Sequence, residues 1–188
     1  MMAQIVFWVL VGAWLALEVF LHGAYNPRIR QTNGEKLSKY VMLAAFLVGI
    51  LSGRIFFPDF AVRFREPFTA LRIAGMVLLA ASIALRIVSV VQLGKAYSVN
   101  LGVRPEQPLV TTGLYTIVRH PGYLSLALGF VGIALSFSQL VPSIICVAIP
   151  VAALLYRIRV EEGILENAYG EQYRAYKVRT RMIVPWIL

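Results

Sequence analysis

The chain has 188 residues, 59% of them hydrophobic and 14% charged, with a net charge of +9 and a mean hydropathy of +0.73. Soluble domains carry about 25% charged residues, so lipid is the expected solvent for much of this surface. The one cysteine, Cys146, lies in an apolar run and the two histidines are far apart, which excludes a disulfide framework within one chain and argues against a metal centre. The basic residues sit singly beside apolar runs and form no polar face, so anionic lipid explains the positive charge better than nucleic acid does.

About 20 apolar residues cross a bilayer as a helix. Five segments come near that length, at residues 5–21, 40–57, 71–93, 123–140 and 141–158. The first lacks a basic n-region, and Glu18 and His22 stand where a signal peptide would carry small cleavage-site residues, so it reads as a retained span. Glu18 in the first span and Arg86 in the third fall at similar depth and could pair; buried intramembrane ions are functional candidates by default, with a structural pair as the plain alternative. Arg54 and Arg72 lie near helix ends and are expected to snorkel. The last two spans read as a tight hairpin through Ser136, Ser138, Gln139 and Pro142, and Pro150 is expected to kink the fifth. Ser125 and Gly129 form a small-xxx-small pair that permits close helix packing.

Lys and Arg in short loops set orientation. The N-terminal segment has none. The first loop carries Arg28, Arg30, Lys36 and Lys39, the third Lys95, Arg104 and Arg119, the fourth none, and the C-terminal segment Arg159, Arg174, Lys177, Arg179 and Arg181. That alternation predicts an outer N-terminus, a cytosolic C-terminus, and a 94–122 loop on the same side as the tail; Arg63 and Arg65 in the second loop break the pattern. The whole chain reads as one integral-membrane domain, all-α with about five transmembrane helices: residues 1–93 hold three spans, and 94–188 hold the polar motifs, with the loop and a C-terminal helix forming a site.

Chemistry concentrates in two places. Residues 119–123, Arg-His-Pro-Gly-Tyr, put Pro121 in the first turn of a helix, where its missing N–H is not needed, and His120 near the N-cap, where free N–H groups and the helix dipole attract an anion. The plain alternative is a helix start with a snorkelling Arg119. Some 40 residues on, Arg157 and Glu161 stand at i, i+4 on a helix leaving the membrane. A surface salt bridge is the ordinary reading of that spacing, but adjacent Glu161 and Glu162 contribute little to topology and suit a ligand with a cation or ribose hydroxyls. Beyond them Tyr169, Tyr173 and Tyr176 share a helical face; an interfacial aromatic belt is the ordinary expectation, the wall of a pocket the alternative. Pro185 ends the regular structure. There is no Gly-rich phosphate loop, GxSxG or HExxH.

The pattern Leu-Val-x-x-Gly-x-Tyr-x-x-x-Arg-His-Pro-x-Tyr, from Leu109 to Tyr123, followed by Glu161, Glu162, Leu165, Tyr169, Gly170, Tyr173 and Tyr176, resembles the isoprenylcysteine carboxyl methyltransferase family over residues 94–185. The resemblance implies S-adenosylmethionine as methyl donor, bound at the cytosolic membrane face by Gln107, Pro108, Leu109, Val110, Tyr115, His120, Pro121, Gly122, Tyr123 and Glu161, with Asn100 as an addition. Glu162 joins this set from the reading of the acidic pair. Arg157 matches the family arginine that faces the acceptor, so Arg157 and Glu161 are the expected catalytic groups. Gln107 stands where many relatives carry histidine, and Arg159 and Val160 replace a longer acidic run; both departures bear on the acceptor rather than the donor. Methyl transfer from a sulfonium needs reactants held in line and dry, without a metal or covalent enzyme intermediate. The resemblance implies an isoprenylcysteine-like carboxylate as acceptor, with a phospholipid amine, an alkylated phenol or pyrone hydroxyl, or a small thiol as alternatives; an NADPH-dependent sterol-type reductase and a non-catalytic membrane scaffold are the competing classes.

Overall fold

The computed structural model describes residues 2–25, 33–51, 69–104, 106–136 and 140–183. Arg28, Arg30, Arg54, Arg63, Arg65, Ser138, Gln139 and Pro185, used above, lie outside the described residues. Among the described residues six α-helices follow one another: α1 Met2–Ala24, α2 Asn33–Leu51, α3 Thr69–Leu93, α4 Pro121–Leu135, α5 Leu140–Tyr169 and α6 Glu171–Arg179. The chain is thus an all-helical integral membrane protein, as expected. Met2–Ala24, Ala70–Ala96 and Val141–Tyr169 meet the length and apolarity of a crossing on their own. The other two expected spans depart from the sequence reading. α2 begins at Asn33 rather than near Tyr40 and carries Glu35, Lys36 and Lys39 in its first two turns, while α4 stops at Leu135, about 22 Å of helix.

α1 is apolar all round and buries only Val11, Trp14 and Leu21, leaving Ile5, Trp8, Val9, Val19 and Phe20 exposed. A helix of that composition with so little protein contact faces lipid. Trp14 anchors it. The indole Nε1 donates to Ser82 Oγ of α3 at 3.1 Å, Ser82 Oγ donates to the Ser125 carbonyl of α4 at 2.7 Å, and the ring lies so close to Gly129 that a Cβ there would stand 2.8 Å away. The Ser125/Gly129 pair therefore packs helices within one chain. α3 and α4 approach closely at a second glycine pair, where a Cβ on Gly75 would meet the Gly132 carbonyl at 2.6 Å. Small residues let backbones touch where no hydrophobic effect drives helices together. α2 leans on α5, with Gly49 against Pro150. Phe46 of α2 stacks on Trp14 with centroids 6.1 Å apart and meets Phe130 of α4 edge-on at 4.6 Å, which ties α1, α2 and α4 at mid-depth.

α5 runs unbroken for 30 residues, past Arg157, Glu161 and Glu162. Gly170 then adopts φ +53, a left-handed conformation that glycine takes without strain, and α6 starts in a new direction. The single helical face that the spacing of Tyr169, Tyr173 and Tyr176 suggested is therefore divided between two helices. The loop after α3 and the chain after α6 meet at one end of the bundle: Val118 bridges Arg181, Arg119 N donates to the Arg181 carbonyl at 2.7 Å, and His120 N to the Met182 carbonyl at 3.1 Å.

Candidate active site

A cavity of about 540 Å³ opens where these two segments meet. Its polar groups come from residues 97–102 and 107–110, Tyr115, His120, Tyr123, Arg157, Glu161 and the tyrosines at 169, 173 and 176. Its apolar part runs between α1 and α2 past Leu15, Val19, Met42, Leu43, Phe46 and Leu47. From Lys39 to Leu47 the lining residues of α2 span about 12 Å at the rise of an α-helix. The cavity thus has the two-sided chemistry of an amphiphile's site.

At its centre sits Tyr123. Its hydroxyl donates to Glu161 Oε2 at 2.6 Å and accepts from Arg157 Nε at 3.1 Å. Arg157 and Glu161 are therefore linked through one phenol oxygen, not by the surface salt bridge that i, i+4 spacing suggested. Arg157 is buried, and its other nitrogens donate to Ser38 Oγ at 3.2 Å and to the Val99 carbonyl at 2.6 Å. Among the described residues no carboxylate lies within 4 Å of its guanidinium.

His120 is the N-cap residue of α4 and Pro121 occupies its first turn, as predicted. The side chains act differently from the expectation. His120 Nε2 lies 3.4 Å from Glu162 Oε1, and Arg119 Nε donates to the same oxygen at 2.8 Å. Arg119 does not snorkel: its Nη1 also donates to the Lys177 and Thr180 carbonyls, at 3.2 and 2.6 Å, and so staples the end of α6 to the start of α4. Glu162 is the buried counter-charge behind the cavity wall, with Lys177 at 3.5 Å.

The tyrosines form no exposed belt. Tyr173 and Tyr176 are buried on α6, and Tyr169 ends α5. Tyr169 Oη donates to the Gln107 carbonyl at 2.9 Å and Tyr176 Oη to the Tyr115 carbonyl at 2.7 Å, which fastens the polar loop to the C-terminal segment. Burial pushes the Tyr176 phenol up to about 12 against the opposing charge of Arg119, so it remains a donor at neutral pH. Tyr115 is likewise pushed up, by burial and then by the charge of Glu161, which removes it as a general base. The hydroxyl of Tyr173 is the buried side-chain polar atom left without a protein partner among the described residues.

Of the predicted residues, Asn100, Gln107, Pro108, Leu109, Val110, Tyr115, His120, Gly122, Tyr123, Arg157 and Glu161 line the cavity; Pro121 and Glu162 do not. Sequence reasoning gave no role to Ser38, Tyr97 or Val99, whose neighbours lie far along the chain. The Glu18–Arg86 pair forms as anticipated, with two contacts of 2.8 and 2.9 Å, and both residues border the cavity. Arg86 Nη1 also donates to the Gly122 carbonyl at 3.3 Å, and a Cβ on Gly122 would stand 2.9 Å from that nitrogen. The glycine of the Arg-His-Pro-Gly-Tyr run is there to let the guanidinium in.

The fold and cavity define a helical membrane protein that receives a ligand with a polar head and an apolar tail. The family model of the isoprenylcysteine carboxyl methyltransferase (ICMT) family matches residues 73–167, half of the chain. A protein of Oryza sativa subsp. indica named probable protein-S-isoprenylcysteine O-methyltransferase is 22% identical over 179 residues, 94% of this chain and 90% of that one. The protein-S-isoprenylcysteine O-methyltransferase of Schizosaccharomyces pombe is 25% identical over 166 residues, 82% of this chain and 70% of that one. Among solved structures, the eukaryotic intramembrane Ras methyltransferase ICMT has the same fold, with a TM-score of 0.57 at 18% identity over 95% of this chain and 67% of that one. The chain belongs to the isoprenylcysteine carboxyl methyltransferase family and is a membrane methyltransferase, which sets aside the reductase and scaffold readings.

Proposed function

We propose that the protein transfers a methyl group from S-adenosylmethionine to the carboxylate of an isoprenylcysteine-like lipid, with the polar end of the cavity facing the cytosol. The observation that carries this reading is the Tyr123 bridge: one hydroxyl holds an anion, Glu161, and a cation, Arg157, side by side in a buried cavity. Glu161 suits the cationic centres of the donor. Arg157, without a carboxylate of its own among the described residues, suits an anionic acceptor and repels an amine. An acceptor carboxylate is ionised at neutral pH and needs no base, in keeping with a phenol held protonated at Tyr115. When bound, the donor supplies a sulfonium methyl that passes to a carboxylate oxygen as the electron pair of the C–S bond returns to sulfur, and no proton moves. Ser38, Val99 and Tyr123 hold Arg157 in one orientation, and the slot between α1 and α2 takes the apolar tail and excludes water.

Purified protein incubated with radiolabelled S-adenosylmethionine is expected to label an N-acetyl-S-prenylcysteine in a base-labile ester, and not the same compound already esterified. Label appearing only on an amine-headed phospholipid would reverse the acceptor assignment. The unpartnered Tyr173 hydroxyl supports the donor's place in the polar half, because a buried donor without an acceptor is destabilising until a ligand meets it. Burial, then the charges of Glu162 and Glu161, push this phenol up, so it keeps its proton and has a hydrogen to donate near neutral pH. Tyr173→Phe is expected to leave the melting temperature unchanged or higher and to weaken donor binding about 5–10-fold, read by calorimetric titration. A variant that melts lower and binds the donor as before would sink this role.

A further inference from the structure

Among the described residues three arginines border the cavity; Arg119 is taken up by Glu162, and the other two, Arg86 and Arg157, are buried and grip the same two pieces of chain. Arg86 Nη2 donates to the Tyr97 hydroxyl at 3.2 Å and Arg86 Nη1 to the Gly122 carbonyl. Arg157 donates to the carbonyl of Val99, two residues beyond Tyr97, and to the hydroxyl of Tyr123, the residue after Gly122. The arginines differ in one respect. Both Glu18 oxygens meet Arg86, whereas no carboxylate among the described residues lies within 4 Å of Arg157. An acceptor anion entering this cavity would otherwise find two guanidinium groups of similar burial, and capture by Arg86 would hold its carboxylate away from the Arg157–Glu161 centre.

We infer that Glu18 of α1 is a positioning residue for methyl transfer: by neutralising Arg86 it leaves Arg157, among the described residues, as the buried cavity arginine able to receive an anionic acceptor. This rests on the reading of the acceptor as a carboxylate. Glu18 lies outside the 73–167 segment that matches the family model, so the inference ties the N-terminal helix to the chemistry of the motif region. Charge, rather than shape, is the acting quantity. A glutamine at 18 keeps the length and a carbonyl oxygen for Arg86 but removes the compensation, and Arg86 retains Tyr97 and Gly122 as partners.

The test compares Glu18→Gln, Glu18→Asp and the double variant Glu18→Gln/Arg86→Gln in the full chain, by acceptor kinetics with N-acetyl-S-prenylcysteine and by donor titration. Glu18→Gln is expected to raise the acceptor KM on the order of tenfold while the donor dissociation constant moves less than about threefold. Glu18→Asp, which keeps the charge, is expected to stay near wild type, and the double variant, with the competing cation gone, to recover most of the acceptor KM. A purely structural pair predicts the opposite: equal losses for donor and acceptor, and a double variant no better than Glu18→Gln. Either result overturns the inference. Wild-type protein that methylates no carboxylate acceptor overturns instead the reading on which it rests, and that arm is read before any variant.

Discussion

Arg157→Lys is expected to lower kcat/KM for the carboxylate acceptor about 10²–10³-fold and to leave donor affinity within about threefold. The lysine keeps the charge, so the loss isolates geometry. Arg157 reaches Tyr123, Ser38 and the Val99 carbonyl at once, from three separate nitrogens. A single ammonium on a flexible stem cannot span α2, the 97–101 loop and α4 together, and the Tyr123 hydroxyl loses the donor that fixes it toward Glu161. Initial-rate kinetics with a labelled methyl donor, alongside titration of the donor alone, checks both halves. Retention of wild-type kcat/KM would remove Arg157 from the acceptor site. A parallel fall in donor affinity would mean that it holds the donor instead.

The second large effect is on stability. Arg119→Ala is expected to destabilise the protein by about 3 kcal/mol and to abolish donor binding at the same time. The guanidinium neutralises Glu162, 10% exposed at its side chain, and ties two carbonyls beyond it to the start of α4. Without it a buried carboxylate keeps only His120 and Lys177, at 3.4 and 3.5 Å, and the junction of α6 with the 113–120 turn loses its staple. Thermal unfolding in detergent measures the first effect and calorimetry the second. An unchanged melting temperature would show that the Val118–Arg181 bridge and the tyrosine hydrogen bonds hold α6 on their own.

The site was legible where polar residues interrupt an apolar chain. Tyr115, His120, Tyr123, Arg157 and Glu161 stand out because a membrane protein has little other use for them in such positions, and all five border one cavity. Side-chain direction was harder to read. Glu161 and Glu162 look equivalent as a pair, but neighbours on a helix point about 100° apart, so one faces the cavity and the other the Arg119 staple. Tyr169, Tyr173 and Tyr176 carry the spacing of a belt; Gly170 breaks the helix between them and turns the last two inward. The start of α2 was missed because Glu35, Lys36 and Lys39 resemble a loop; in the structure they lie on the helix, where Ser38 Oγ donates back to the Glu35 carbonyl at 2.8 Å and accepts from Arg157. Ser38, Tyr97 and Val99 carry no local signal, since what defines them is a partner many residues away.

The Glu18–Arg86 pair also bears on biogenesis. Its members belong to the first and third helices, 68 positions apart, and a carboxylate carried into the bilayer by α1 alone brings an insertion penalty. While the nascent chain has delivered only α1, that penalty stands unrelieved. Pairing with Arg86 of α3 offsets both charges in one step, so the stable seating of the first helix is coupled to the third.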